Sequence, residues 1–132
     1  MTRIESPAAE VQKSAAEIFN FLSDFNNMQK LMPEQVVDWK SSTEECSFTI
    51  KGMLSLGMKY AGKVPNSLIE IIPNGKVPFN FKLICTIEDK GASSVTRLTM
   101  EADLNPFLKM MAEKPLNNFV NMLAERFKGI WT

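Results

Sequence analysis

The sequence contains no histidine, and that count limits the chemistry open to it. Without an imidazole there is no Ser-His or Cys-His nucleophile pair, no histidine general base and no histidine metal ligand. A zinc site would need thiolates, and two cysteines fall short of a four-thiolate set. Carboxylate-only magnesium or calcium sites stay open, but no calcium-loop spacing occurs. The side chains left with chemistry to offer are the sole tyrosine, Tyr60, the thiols Cys46 and Cys85, and the charged set Lys82, Glu88, Arg97, Glu101 and Asp103.

Each of these has a structural reading beside its chemical one. Alternation with Leu56 and Met58 directs Tyr60 inward, where its hydroxyl could orient a polar ligand group or act as a general acid. As structure, Tyr60 is an amphipathic strand residue with its hydroxyl at the rim, and this reading is preferred. Cys85, between inward Leu83 and Ile87, reads as a buried, inert thiol, and Cys46 likewise. The charged set alternates onto a wet sheet face, where cross-strand pairs are ordinary and weak. No catalytic residue, metal ligand or cofactor is therefore assigned. Nine methionines are the unusual part of the composition. Met53, Met58, Met100, Met110, Met111 and Met122 are expected to point inward, either as a deformable wall around an apolar ligand or as core filler; spacing alone does not separate the two.

The elements that must position these residues follow from composition and period. A chain of 132 residues, 45% hydrophobic and 23% charged, is expected to be one domain over 1–132 with an ordinary core. Fifteen basic and fifteen acidic residues are scattered, so a nucleic-acid partner lacks its electrostatic footprint. There is no apolar run of membrane-spanning length and no signal-like N-terminal segment. Two widely spaced cysteines do not make a disulfide framework. The expectation is a cytoplasmic protein, monomer or weak homodimer, with reduced thiols.

An extended stretch from about Thr2 to Lys13, broken at Pro7, comes first. Ser14-Ala15-Ala16-Glu17 is a capping-box pattern that opens a helix, with Ala15, Ile18, Phe19, Leu22 and Phe25 as its apolar stripe. A second helical piece, Asn26 to Met32, ends at Pro33. The period then changes to two, predicting strands Val36–Ser41, Cys46–Lys51, Leu54–Gly62, Ser67–Ile72, Phe79–Glu88 and Ser94–Leu104. Asn105 caps and Pro106 starts a long C-terminal helix. Its stripe is Phe107, Met111, Phe119, Leu123 and Phe127, widened by Met110, Val120 and Met122, and Pro115 is expected to kink or break it between Met111 and Lys114.

Registers follow from matching faces. A two-residue Gly91-Ala92 turn sets Phe81 opposite Ala102, Leu83 opposite Met100 and Cys85 opposite Leu98. On the outside it sets Lys82 opposite Glu101 and Thr86 opposite Arg97, with Thr99 and Asp103 also wet. A two-residue Asn74-Gly75 turn would mismatch faces, so an odd loop pairing Ile71 with Phe79 and Ile69 with Phe81 is predicted. Trp39, between Asp38 and Lys40, either anchors one end of the sheet or covers a pocket entrance.

This order of elements resembles the helix-grip superfamily of START lipid-transfer domains, polyketide cyclases and birch-pollen-allergen-like proteins, and among them small bacterial members of the SRPBCC, or polyketide cyclase-like, type. The marks are the segments Ser14-Ala15-Ala16-Glu17-Ile18-Phe19-Asn20-Phe21-Leu22-Ser23-Asp24, Ala102-Asp103-Leu104-Asn105-Pro106 and Lys109-Met110-Met111-Ala112. The resemblance implies an α+β helix-grip fold: a seven-stranded curved antiparallel sheet (β-α-α-β6-α) wrapped around the C-terminal helix, with an elongated apolar cavity between them. It implies binding of a hydrophobic small molecule, lipid- or polyketide-like, by a carrier or sensor. The inward residues placed at that cavity are Phe48, Met58, Tyr60, Phe81, Leu83, Met100, Met111 and Phe119. The glycine-rich loop of plant allergen-like members has no counterpart in Ser42-Thr43-Glu44-Glu45, so its role does not carry over. Two alternatives stay open: a cyclase- or dehydratase-like enzyme working without histidine, and a chaperone-activator-like interaction module with a filled interior and an exposed apolar patch, for which Trp131 is the candidate.

Overall fold

A computed structural model of the chain describes residues 2–52 and 54–131; Met53, expected to point inward, lies outside the described residues. The strands are β1 (Thr2–Glu5), β2 (Ala9–Val11), β3 (Val36–Ser41), β4 (Glu45–Ile50), β5 (Leu54–Val64), β6 (Leu68–Pro73), β7 (Phe81–Asp89) and β8 (Ser94–Ala102). The helices are α1 (Ala15–Leu22), α2 (Phe25–Met28), continued by a 3-10 turn over Gln29–Leu31, and α3 (Pro106–Ile130). All eight strands join one antiparallel sheet in the order β1-β8-β7-β6-β5-β4-β3, with β2 also on β8. The sheet curves about α3 in an α+β helix-grip fold.

The expected first strand is two short ones because of Pro7, which has no amide hydrogen to give the ladder. Ser6 closes the gap. Its amide donates to the Leu98 carbonyl (2.8 Å), and its hydroxyl accepts the Leu98 N–H (3.0 Å). One extra residue fits between Glu5, opposite Thr99, and Ala9, opposite Thr96, so Ile4, Ala9 and Val11 all stay buried.

The β7–β8 hairpin has the expected register, including Leu83 opposite Met100 and Cys85 opposite Leu98. Gly91 takes φ +88°, the left-handed backbone its turn position asks for. Thr99 departs from expectation: it is buried on the outer face, between cross-strand neighbours Glu5 and Ile84. The β6–β7 pairing also differs. Ile71 lies opposite Leu83 and Ile69 opposite Cys85, not Phe79 and Phe81. Face matching holds, but the connection is longer, because Pro73 still pairs with Met58 of β5 and Asn74 donates to the Gly57 carbonyl (2.9 Å). Phe79 is left outside the ladder and packs edge-on against Phe81, centroids 6.0 Å apart.

Helix α3 begins as expected, the Asn105 side chain accepting the Leu108 N–H (2.8 Å). It runs unbroken through Pro115, against the expected interruption. The bond that proline removes ends on the Met111 carbonyl, at a residue facing water. Ala112, Leu116, Phe119, Val120, Leu123, Ala124 and Phe127 form the buried face. Phe107, Met110 and Met111 do not point inward; they are 65%, 81% and 61% exposed. The physical reason is drift. A row held at every fourth residue advances about 40° per step on a helix of 3.6 residues per turn, so a stripe aimed inward at Phe119 has rotated well round by Met111 and Phe107. Met110 lies on the opposite side altogether.

Candidate functional site

Two features of the structure bear on binding: the interior between sheet and helices, and the mouth where α3 meets the β3–β4 end of the sheet. Among the described residues no elongated hollow of the expected kind opens inside. The interior void is about 20 Å³, lined among others by Met28, Met32, Met58, Leu83, Cys85 and Leu123. That is room for about one water, in a wall offering no nitrogen or oxygen. The expected inward residues are what fill it. Met58 and Leu83 line the void, and Phe81 and Met100 are closed into the core.

The near end of the interior is strapped shut by β5. A bulge at Ala61 shifts the register between Tyr60, opposite Ile71, and Gly62, opposite Glu70. Lys63 is thereby turned to the inner side, opposite Ile69. The Tyr60 hydroxyl donates to the Leu22 carbonyl (2.6 Å), and the Lys63 ammonium donates to the Ser23 carbonyl (3.2 Å). The same ammonium lies 4.1 Å from the Tyr60 ring centre, and that ring stacks on Phe25 at 4.3 Å. The last carbonyls of α1, which a helix leaves without internal partners, are thus held by a strand. Burial pushes the Tyr60 phenol above its ordinary range, with nearby Cys85 adding to the shift, so it is a neutral donor to a backbone oxygen and not a poised acid. Burial likewise pushes the Cys46 and Cys85 thiols up to about 12. Both thiols are unpaired and lie on strands that are not neighbours.

The mouth is built differently. In β3 two residues oppose one of β4: Val37 pairs with Thr49 and Lys40 with Ser47, leaving Asp38 and Trp39 across from Phe48. Asp38 takes φ +57°, a backbone that aspartate tolerates better than most residues. The extra residue rotates Trp39 onto the inner side. Its ring stacks on Phe48 (5.4 Å), and Phe48 stacks on Phe119 of α3 (5.9 Å). Trp39 therefore packs the edge strand onto the aromatic stack of Phe48 and Phe119. Beyond Phe119 opens a groove of about 190 Å³ with apolar walls from Pro33, Ile50, Pro115, Phe119 and Met122, and with Gln35, Lys51 and Asn118 at its rim.

Of the residues expected at the cavity, the structure brings Phe48 and Phe119 together at this mouth and Met58 with Leu83 at the void. Tyr60 sits at the strap, Phe81 and Met100 in the core, and Met111 in water. Sequence reading missed the groove walls Pro33, Ile50 and Pro115. Pro33 and Pro115 carry a signal as helix breakers and Ile50 carries none beyond its strand, and nothing along the chain says that the three meet. Trp131 is half-buried against Phe21 (5.2 Å) and Phe127 (6.2 Å); the exposed large apolar residues include its neighbour Ile130 and, at the start of α3, Phe107, Met110 and Met111. The charged set lies on the outer face as expected. Lys82 pairs there with Glu70 and Arg3 with Glu101, each at 3.9 Å. Among the described residues no helix is long and apolar enough to cross a membrane, and no three of His, Cys, Asp and Glu cluster as a metal site.

No protein-family model matches the sequence, and no curated protein is significantly similar to it. Solved structures are similar in fold. A START superfamily protein from Mycobacterium smegmatis superposes with a TM-score of 0.69 at 17% identity, over 98% of this chain and 96% of that one. The di-domain ARO/CYC protein BexL from the BE-7585A biosynthetic pathway gives 0.73 at 14% identity, over 98% of this chain and 46% of that longer one. Norcoclaurine synthase from Thalictrum flavum gives 0.67 at 14% identity, over 94% and 84%. At these identities it is the architecture that is shared: the chain has a START-like, SRPBCC-like helix-grip fold.

Proposed function

We propose that this chain is a carrier or sensor of an apolar small molecule, lipid- or polyketide-like, taken up at the mouth between α3 and the β3–β4 end of the sheet. The observation that supports the reading is the groove of about 190 Å³, where the otherwise buried Phe119 forms part of an open apolar wall. Burial of apolar ligand surface there contributes roughly 25 cal/mol per Å² before ordering costs. The volume is below the roughly 300–1,000 Å³ of common ligand pockets. A larger ligand would gain room by parting Phe119 from Phe48. The START-like fold and the polyketide-pathway neighbour are consistent with such a ligand.

The test is titration with fluorescent fatty-acid-like and sterol-like probes. One-site saturable binding is expected, weakened about tenfold by Met122→Lys in the groove wall and unaffected by Met110→Lys on the far flank of α3. A linear, non-saturable response, or equal effects of the two variants, overturns the reading.

One observation favours a second reading. Phe107, Met110 and Met111 are all exposed within about one turn of α3, as an interaction module would have them. That reading requires Met110→Lys to abolish an association that Met122→Lys leaves intact. A cyclase-like or synthase-like activity, as two neighbours' names suggest for those proteins, has less support. Tyr60, Cys46 and Cys85 are all driven toward their neutral forms by burial, which disfavours a base among them.

A further inference from the structure

We infer that the mouth groove selects an anionic amphiphile, a single apolar chain ending in a carboxylate-like head, with the chain along Ile50, Phe119 and Met122 and the head at Lys51. This rests on the groove being a ligand site and adds what kind of ligand it takes. The lining residues include one lysine, Lys51, and two amides, Gln35 and Asn118, and none is acidic. Lys51 makes no ion pair among the described residues. The carboxylates nearest the lining residues in the chain, Glu34 and Glu113, are not part of the lining.

The root of Lys51 is fixed, because its amide donates to the Gln35 carbonyl at 2.8 Å. That bond ties the residue after β4 to the segment after Pro33, so Lys51 and Gln35 border the same end of the groove. An acidic head placed there gains a charge-assisted contact and two amide donors while staying largely hydrated. A cationic head on the same chain is repelled by Lys51, the one charged residue of the lining, and a neutral head gains the apolar wall alone.

The experiment compares three probes sharing one ten-carbon chain, decanoate, decanol and decyltrimethylammonium, below their micellar concentrations. Decanoate is expected to bind about tenfold tighter than decyltrimethylammonium at low salt, the gap closing as salt is raised. Lys51→Met, at an exposed position where folding should be unaffected, is expected to weaken decanoate about threefold to fivefold and leave decanol unchanged; Lys51→Glu is expected to reverse the order of the charged pair. Equal binding of all three head groups, or decanoate affinity unmoved in both variants, overturns the selection while leaving the groove as a ligand site. Absence of saturable binding for all three probes overturns the groove reading and the selection with it.

Discussion

Truncating Leu123 to alanine probes how full the interior is. Leu123 is 4% exposed, lies on the buried face of α3 and borders the void of about 20 Å³. Leu→Ala changes at such sites cost about 2–5 kcal/mol, rising by about 24 cal/mol for each Å³ left empty. By the same coefficient the existing void accounts for only about 0.5 kcal/mol. The space vacated by Leu123 merges with it, and the unbranched side chains of Met28, Met32 and Met58 can swing in to refill part of it. This places the expected loss near the middle of the range, about 3 kcal/mol. Urea unfolding followed by the fluorescence of Trp39 and Trp131 measures it, with the m-value unchanged. The enlarged void should also admit a small apolar probe such as benzene, raising the variant's midpoint but not the parent's. A loss below about 1 kcal/mol would mean that the interior around Leu123 is already loose, and the conclusion that the grip is closed on its own side chains would be wrong.

Other outcomes follow from single contacts. Tyr60→Phe removes the bond to the Leu22 carbonyl and should cost about 1–2 kcal/mol while accelerating hydrogen exchange over α1 and α2; exchange unchanged there would show that the strap does not hold them. Gly57→Ala sets a methyl group against the Asn74 carbonyl and should cost about 1–3 kcal/mol, whereas Gly62→Ala, in open space, should be near neutral by the same urea midpoint. Cys46 and Cys85 keep their protons in the folded state up to about 12, while in the unfolded chain they ionise near 8.5. The unfolded state therefore binds fewer protons between those values, and their contribution to stability is complete below about pH 8.5 and falls as pH rises toward 12. Urea midpoints from pH 8 to 11 should decline, less steeply in a Cys46→Ala, Cys85→Ala double variant; equal slopes would count against buried, protonated thiols.

Most of the secondary structure and much of the pairing could be read along the chain, because they depend on short-range rules. The period-two alternation of Phe81, Leu83, Cys85 and Ile87, the glycine at Gly91 and the caps at Ser14 and Asn105 act within a few residues of themselves. The β6–β7 connection could not be read that way. Its length is set by Pro73 and Asn74 binding Met58 and Gly57, partners on a strand closed earlier in the sequence. The outward turn of Met111 was also hidden, since an apolar residue four positions from the next looks the same whether or not the row has drifted off the core.

What the sequence determined by itself is therefore the general order of elements, the inward row of β7 with most of that of β8, and the removal of histidine chemistry, all local consequences of residue type and period. Only the tertiary structure decided whether the grip is hollow. Void volume is the small difference between the space enclosed by a curved sheet and the side chains that several distant elements send into it, and no stretch of chain carries that difference. The same holds for the mouth, where Pro33, Ile50 and Phe119 become one wall only after α3 is laid across the sheet.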